Sequence, residues 1–127
     1  MIAMQPILLS IAAAAMVVTM LLHSILGQRR LIRPLLDESA GVMQRSLARF
    51  IVPFAWHLMS LLGLILAAVF LAWAWAPEHA QKIGLIATGT IFTIAGLFDA
   101  IGSRREHVGW PFLTAIGLLS FGALAIS

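Results

Sequence analysis

Four stretches of the chain, near residues 5–26, 51–76, 83–101 and 109–126, are each about as long as a bilayer is thick, and Asp99 is the sole Asp, Glu, Lys or Arg inside them. A hydrocarbon core of roughly 30 Å takes about 20 residues of helix to cross, and a segment within it must satisfy its own backbone hydrogen bonds. Composition agrees: 61% of the residues are hydrophobic and 10% charged, whereas soluble domains run near one half and one quarter. The expectation is an all-α integral membrane protein, a four-transmembrane-helix antiparallel bundle. Residues 1–127 form one domain in this reading, because the connections are too short for a soluble one. MIAMQP carries no basic residue and the run after it is longer than a leader's apolar segment, so the first stretch is read as a retained span. The absence of cysteine excludes disulfides, thiolate metal sites and cysteine nucleophiles.

The cations give these spans a direction. Arg29, Arg30, Arg33, Arg45 and Arg49 lie between the first and second spans and Arg104 and Arg105 between the third and fourth, against Lys82 alone between the second and third. The positive-inside rule places the arginine-bearing connections in the cytoplasm and both termini outside, in a multi-pass protein of the plasma (inner) membrane of bacterial type. Charge confined to span ends also argues against a nucleic-acid partner. Arg29, Arg30 and Arg33 fall at headgroup level, as contacts for anionic lipid or phosphate.

Gly27 is expected to end the first helix in a left-handed conformation, and Pro34 to stop it from carrying on. In LLDESAGVMQRSLARF, Val42, Met43, Leu47 and Phe50 share one side while Arg45 and Arg49 share another. This predicts a short amphipathic cytoplasmic segment before the second span. It is either a helix lying in the interface or an extension of that span bent near Pro53, with Asp37 or Ser39 capping its start.

Read at helical spacing, each span carries a stripe of small and polar residues. The stripes are Ala12, Ala15, Thr19 and His23; Pro53, His57, Ser60, Leu64 and Ala67; Thr88, Phe92, Gly96 and Asp99; and His107, Trp110, Thr114, Gly117 and Phe121. With the orientation above, His23, His57, Asp99 and His107 all lie toward the cytoplasm and form the candidate ligand-binding site. Asp99, near a helix C-terminus and poorly hydrated, needs a partner. His23 is a sensible one, with Arg33, Arg104 and Arg105 as competitors.

The histidines admit three readings: packing residues bonded to backbone or hydroxyls, a proton-responsive site, or ligands of a metal or haem. No two of them stand at i, i+3 or i+4 on one helix, so no metal site is assigned and the cofactor stays open. No catalytic residue is assigned either. There is no GxSxG, P-loop or dinucleotide glycine pattern, although Ser24 and Ser60 could face the histidines. Trp56, Trp73, Trp75 and Trp110 read as interfacial anchors, and Gly89, Gly96, Gly117 and Gly122 as points of close helix approach.

In format, length and four closely connected spans, the chain is similar to the small multidrug resistance transporters. It departs from them in span one, where alanines and valines stand in place of that family's membrane-embedded glutamate. The functional expectation is therefore a small inner-membrane protein with a polar His/Asp site near the cytoplasmic face, binding a small ligand or ion or serving as an accessory subunit. The alternatives are an oligomeric small-solute transporter or channel, and a metal- or haem-dependent membrane enzyme. The partners implied are membrane lipids with anionic cytoplasmic headgroups, and a second copy of the chain or another membrane subunit.

Overall fold

The computed structural model describes residues 4–127. Residues 1–3, on which part of the retained-span reading rests, lie outside the described residues. Every regular element among them is a helix, with no strand. The helices are α1 (Met4–Gly27), α2 (Arg33–Glu38), α3 (Ser46–Trp75), α4 (Ala80–Gly102) and α5 (Trp110–Ala125). Three helical stretches, Met4–Glu38, Ser46–Trp75 and Pro77–Gly102, are long and apolar enough to cross a membrane. The fourth, α5, is apolar but has 16 residues, about 24 Å at 1.5 Å per residue.

The first helix does not end at Gly27. That residue is right-handed (φ −59°, ψ −46°), and a π-helical turn, Gln28–Ile32, carries the chain straight into α2. Pro34 lacks an N–H and its ring would strike the carbonyl one turn back in a regular helix. The wider π turn immediately before it makes room, and Arg33 N–H reaches back to the Gln28 carbonyl. Gly27 serves a different purpose: its missing side chain is where the Trp56 indole sits. The chain reverses at Ser39 (φ 49°) and Gly41 (φ 56°) instead.

The stretch after Pro34 is accordingly not one amphipathic helix. It divides into α2, a 3-10 turn at Gly41–Gln44, and the start of α3, which then runs through Pro53. Ser39 closes α2 rather than opening the next helix: its hydroxyl donates to the Leu36 carbonyl at 2.7 Å. Arg49 of α3 donates to that carbonyl and to Ser39 Oγ, at 2.9 and 2.6 Å, which ties the reversal shut.

The helices pack in two hairpins. Along the first, α1 lies antiparallel on α3, with Trp75 Nε1 donating to Ser10 Oγ at one end and Trp56 Nε1 to the His23 carbonyl at the other. Along the second, α4 lies antiparallel on α5, where Gly89 meets Phe121, Gly96 meets Thr114 and Gly117 meets Thr93. Gly122 faces open space. The hairpins join through a thinner α3–α4 seam, touching where Gly84 meets Val69 and Gly102 meets Phe50. The last contact brings the end of α4 to the start of α3, so all seven arginines gather at one end of the bundle, with Lys82 at the other.

Burial is inverted relative to a water-soluble core. The buried apolar residues are mostly alanines: Ala13, Ala67, Ala72, Ala74, Ala80 and Ala95. Large side chains point outward, among them Ile11 (61% exposed), Phe98 (58%), Phe112 (71%) and Leu119 (73%). Small residues at the contacts let backbones approach closely, which is how helices associate when their surroundings are as apolar as they are.

Candidate functional site

The four candidate residues fall into two separate clusters, one in each hairpin. In the first, Ser24 and Gln28 stand four residues apart on the α1 side and hold the His57 ring of α3 between them. Ser24 Oγ lies 2.6 Å from His57 Nδ1, and Gln28 Oε1 lies 3.0 Å from Nε2. With Gln28 Oε1 accepting, Nε2 carries a proton. Ser24 then donates to a bare Nδ1, or accepts from a protonated one. Rotation of a single hydroxyl thus serves both the neutral and the charged ring, with no heavy atom moved.

His23 does not join that ring. It stacks face to face on Trp56, with centroids 4.2 Å apart and planes 7° from parallel, and Trp56 Nε1 donates to its carbonyl at 3.0 Å. Trp56 is therefore a packing partner between helices. His23 Nε2 and, further along α3, Ser60 Oγ are buried without a hydrogen-bond partner.

The second cluster is built at the end of α4. Asp99 is fully buried, and its Oδ2 accepts from His107 Nδ1 at 2.6 Å. His107 lies in the connection before α5 rather than in a span. Ser103 braces it: its hydroxyl donates to the Asp99 carbonyl at 2.6 Å, and His107 N–H reaches Ser103 Oγ at 3.4 Å. Asp99 Oδ1 is buried with no partner.

The expected Asp99–His23 pair is not formed, because α1 packs on α3 while Asp99 belongs to the other hairpin. Among the described residues Asp99 has no ion pair with Arg33, Arg104 or Arg105. A carboxylate facing the negative end of its own helix dipole is held by one imidazole brought back over the helix end.

Between the clusters, the α3–α4 seam opens into a groove of about 490 Å³. Phe50, Phe54, His57 and Leu61 form one wall, and Ala95 and Phe98 part of the other. Phe50, Phe54 and Phe98 make an aromatic cluster, with centroids 5.6 to 6.0 Å apart. Arg49 stands at its charged end. His57 presents its ring to the groove while both of its nitrogens are engaged toward α1.

Arg29, Arg30 and Arg33 are exposed on the continuation of α1, and Arg30 shares a second, open depression with His23 and Trp56. Among the described residues no three histidines or carboxylates come together as a metal-holding group. Gln28, Ser103 and the phenylalanine-lined groove are features that the sequence reading passed over. The i, i+4 spacing of Ser24 and Gln28 was the available signal for the first. Comparison with known protein families, with curated proteins and with solved structures finds no match to this chain.

Proposed function

We propose that the chain is a four-span protein of a bacterial-type inner membrane, with both termini outside and the arginine-bearing connections in the cytoplasm. In this reading it binds a small amphipathic ligand in the α3–α4 groove. The inverted burial supports the membrane setting, since monomeric soluble proteins do not present continuous apolar surface on this scale. The gathering of arginines at one end supports the orientation. In that setting α5 is the fourth span, short enough to draw the bilayer in around it or to rely on its neighbours.

One observation carries the ligand reading: the groove is apolar along its length, has a guanidinium at the charged end, and its volume of about 490 Å³ lies in the usual range of small-molecule sites, roughly 300–1,000 Å³. The occupant is a molecule with a flat or chain-like apolar body and an anionic or strongly accepting head placed at Arg49. Arg29, Arg30 and Arg33 meet anionic headgroups on the same side. His57, held in a hydrogen-bonded cradle that tolerates either protonation state, forms part of the wall.

Native mass spectrometry from a mild detergent tests this. The wild-type chain should retain a small molecule that Leu61→Trp, which fills the groove, releases and Arg49→Gln weakens. Equal retention by all three chains would remove the ligand reading. Orientation is tested independently in this cysteine-free chain: Ser127→Cys should react with an impermeant maleimide on intact cells, and Glu106→Cys only after permeabilisation.

A further inference from the structure

The face of α4 turned away from the α3–α4 groove ends in two arginines. Where α4 ends, Arg104 and Arg105 both adopt the left-handed conformation, φ 52° and 66°. Arg105 N–H donates to the Ala100 carbonyl at 2.9 Å and Arg104 N–H to the Ile101 carbonyl at 3.2 Å. This is the usual way to finish a helix, but the residue that does it without cost is glycine. Here two successive arginines occupy the turn. Among the described residues neither guanidinium has an ion-pair partner; the pairs present are His79 with Glu78 and His107 with Asp99. The adjacent carboxylate, Glu106, is exposed, and Asp99 is committed to His107.

The two arginines line a depression of about 550 Å³ whose remaining wall is Leu97, Ala100, Ile101 and Trp110. Leu97 and Ile101 are 51% and 79% exposed, so the wall continues onto the open apolar flank of α4. Two unpaired cations thus stand directly above a hydrocarbon-lined trough, with an indole on the boundary, the level tryptophan favours in a bilayer.

We propose that this depression is a binding site for one anionic phospholipid of the cytoplasmic leaflet. Its phosphate lies between Arg104 and Arg105, its glycerol region against Trp110, and an acyl chain along Leu97 and Ile101. The charge calls for an anion, and paired guanidiniums match phosphate oxygens in fork geometry. The apolar wall selects a lipid over a free phosphate. The proposal rests on the membrane reading above and is independent of the α3–α4 groove.

The test uses Trp110 as reporter. The chain carrying Trp56→Phe, Trp73→Phe and Trp75→Phe is reconstituted in phosphatidylcholine bilayers holding a small fraction of brominated phosphatidylglycerol, and quenching of Trp110 emission is measured. At about fivefold per arginine, the local enrichment of the anionic lipid over its bulk fraction should be about twenty-fivefold. Brominated phosphatidylcholine at the same fraction should quench only to the bulk value.

Adding Arg104→Gly and Arg105→Gly, which suits the left-handed turn and keeps the helix end intact, should return phosphatidylglycerol quenching to bulk. In the unaltered tryptophan background, native mass spectrometry should show one phosphatidylglycerol fewer retained by the same double-glycine variant. Equal quenching by the two lipids, undiminished quenching in the variant, or relief by millimolar inorganic phosphate would each overturn the site while leaving the membrane reading standing. Quenching by neither lipid would overturn both.

Discussion

Replacing Gly96 by alanine puts the close packing of the second hairpin to a quantitative test. A Cβ at Gly96 would lie 2.5 Å from Thr114 N and 2.9 Å from Thr114 Cα, where ordinary contact begins at 3.4 Å. Those are backbone atoms, so no side chain can swing aside, and α4 and α5 must separate by about 1 Å. Overpacking of this kind costs about 1–3 kcal/mol, offset by the ~0.5–1 kcal/mol that alanine gains over glycine within a helix. The expected net loss is about 1–2 kcal/mol. Gly117→Ala meets the same obstacle from the facing helix, 2.5 Å from Thr93 N and 2.9 Å from Gly89 O. Once the helices have parted for one methyl group, the second finds its clash partly relieved, so the double variant should lose less than the sum. Gly122→Ala, with nothing within 4 Å, and Gly84→Ala, whose nearest atom is Val69 Cγ2 at 3.5 Å, should gain about 0.5 kcal/mol or change little. The assay is reversible unfolding in mixed micelles followed by circular dichroism. Gly96→Ala as stable as Gly122→Ala, or strict additivity of the double variant, would refute the reasoning.

The same titration checks three further expectations. His107→Ala leaves the buried Asp99 carboxylate without its partner and should cost about 3–5 kcal/mol; adding Asp99→Ala should recover part of that loss, and simple addition of the two costs would mean the pair is not coupled. Arg104→Gly relieves a left-handed residue and should stabilise by about 0.5–1 kcal/mol, whereas Gly41→Ala, at φ +56° with open space around it, should destabilise by about 1 kcal/mol for the same backbone reason. Ser24→Ala strips one partner from His57 and should cost about 1–3 kcal/mol; Thr19→Ala, whose exposed hydroxyl only returns to the Ala15 carbonyl, should be close to neutral.

How far the sequence could be read depends on whether a feature is local or relational. The apolar helices and the arginine-rich end are local, being visible as runs and counts. The packing face of α1 is relational. Ala12, Ala15, Thr19 and His23 were the expected stripe, yet Ala13 is buried while Ala15 and Thr19 are exposed. Residues Ala12 to Ala15 are identical, so composition carries no helical phase there; the phase is set by Met20 against Gly63 and Trp56 against Gly27. Gly27 shows the same ambiguity at one residue. A glycine that ends a helix and a glycine that admits a neighbouring ring look alike in one dimension, and the partner 29 positions away decides between them. Asp99 was recognisable as a group in need of a cation, but its partner depended on which helices are neighbours, and three imidazoles were available.

That division into neighbours also bears on how the proposed groove is entered. Each polar cluster lies within one hairpin, as do the hydrogen bonds of Trp56, Trp75 and His57 between α1 and α3 and that of His107 back to α4. Among the described residues no side-chain hydrogen bond crosses from α3 to α4; at its arginine end that seam is held by Phe50, Phe54 and Phe98 and by Phe50 against Gly102. The hairpins are covalently joined at the far end, through the Pro77–His79 turn. Groove-lining residues 49–61 and 91–98 lie well away from that joint. A small divergence of α3 from α4 about the turn therefore widens the groove at its arginine end while breaking apolar contacts alone, which in a lipid surrounding are exchanged for equivalent ones. The first hairpin is thus tied by side-chain hydrogen bonds from α3 to the α1 side and the second by glycine-on-backbone packing of α4 against α5, whereas the seam between them rests on side-chain contacts alone.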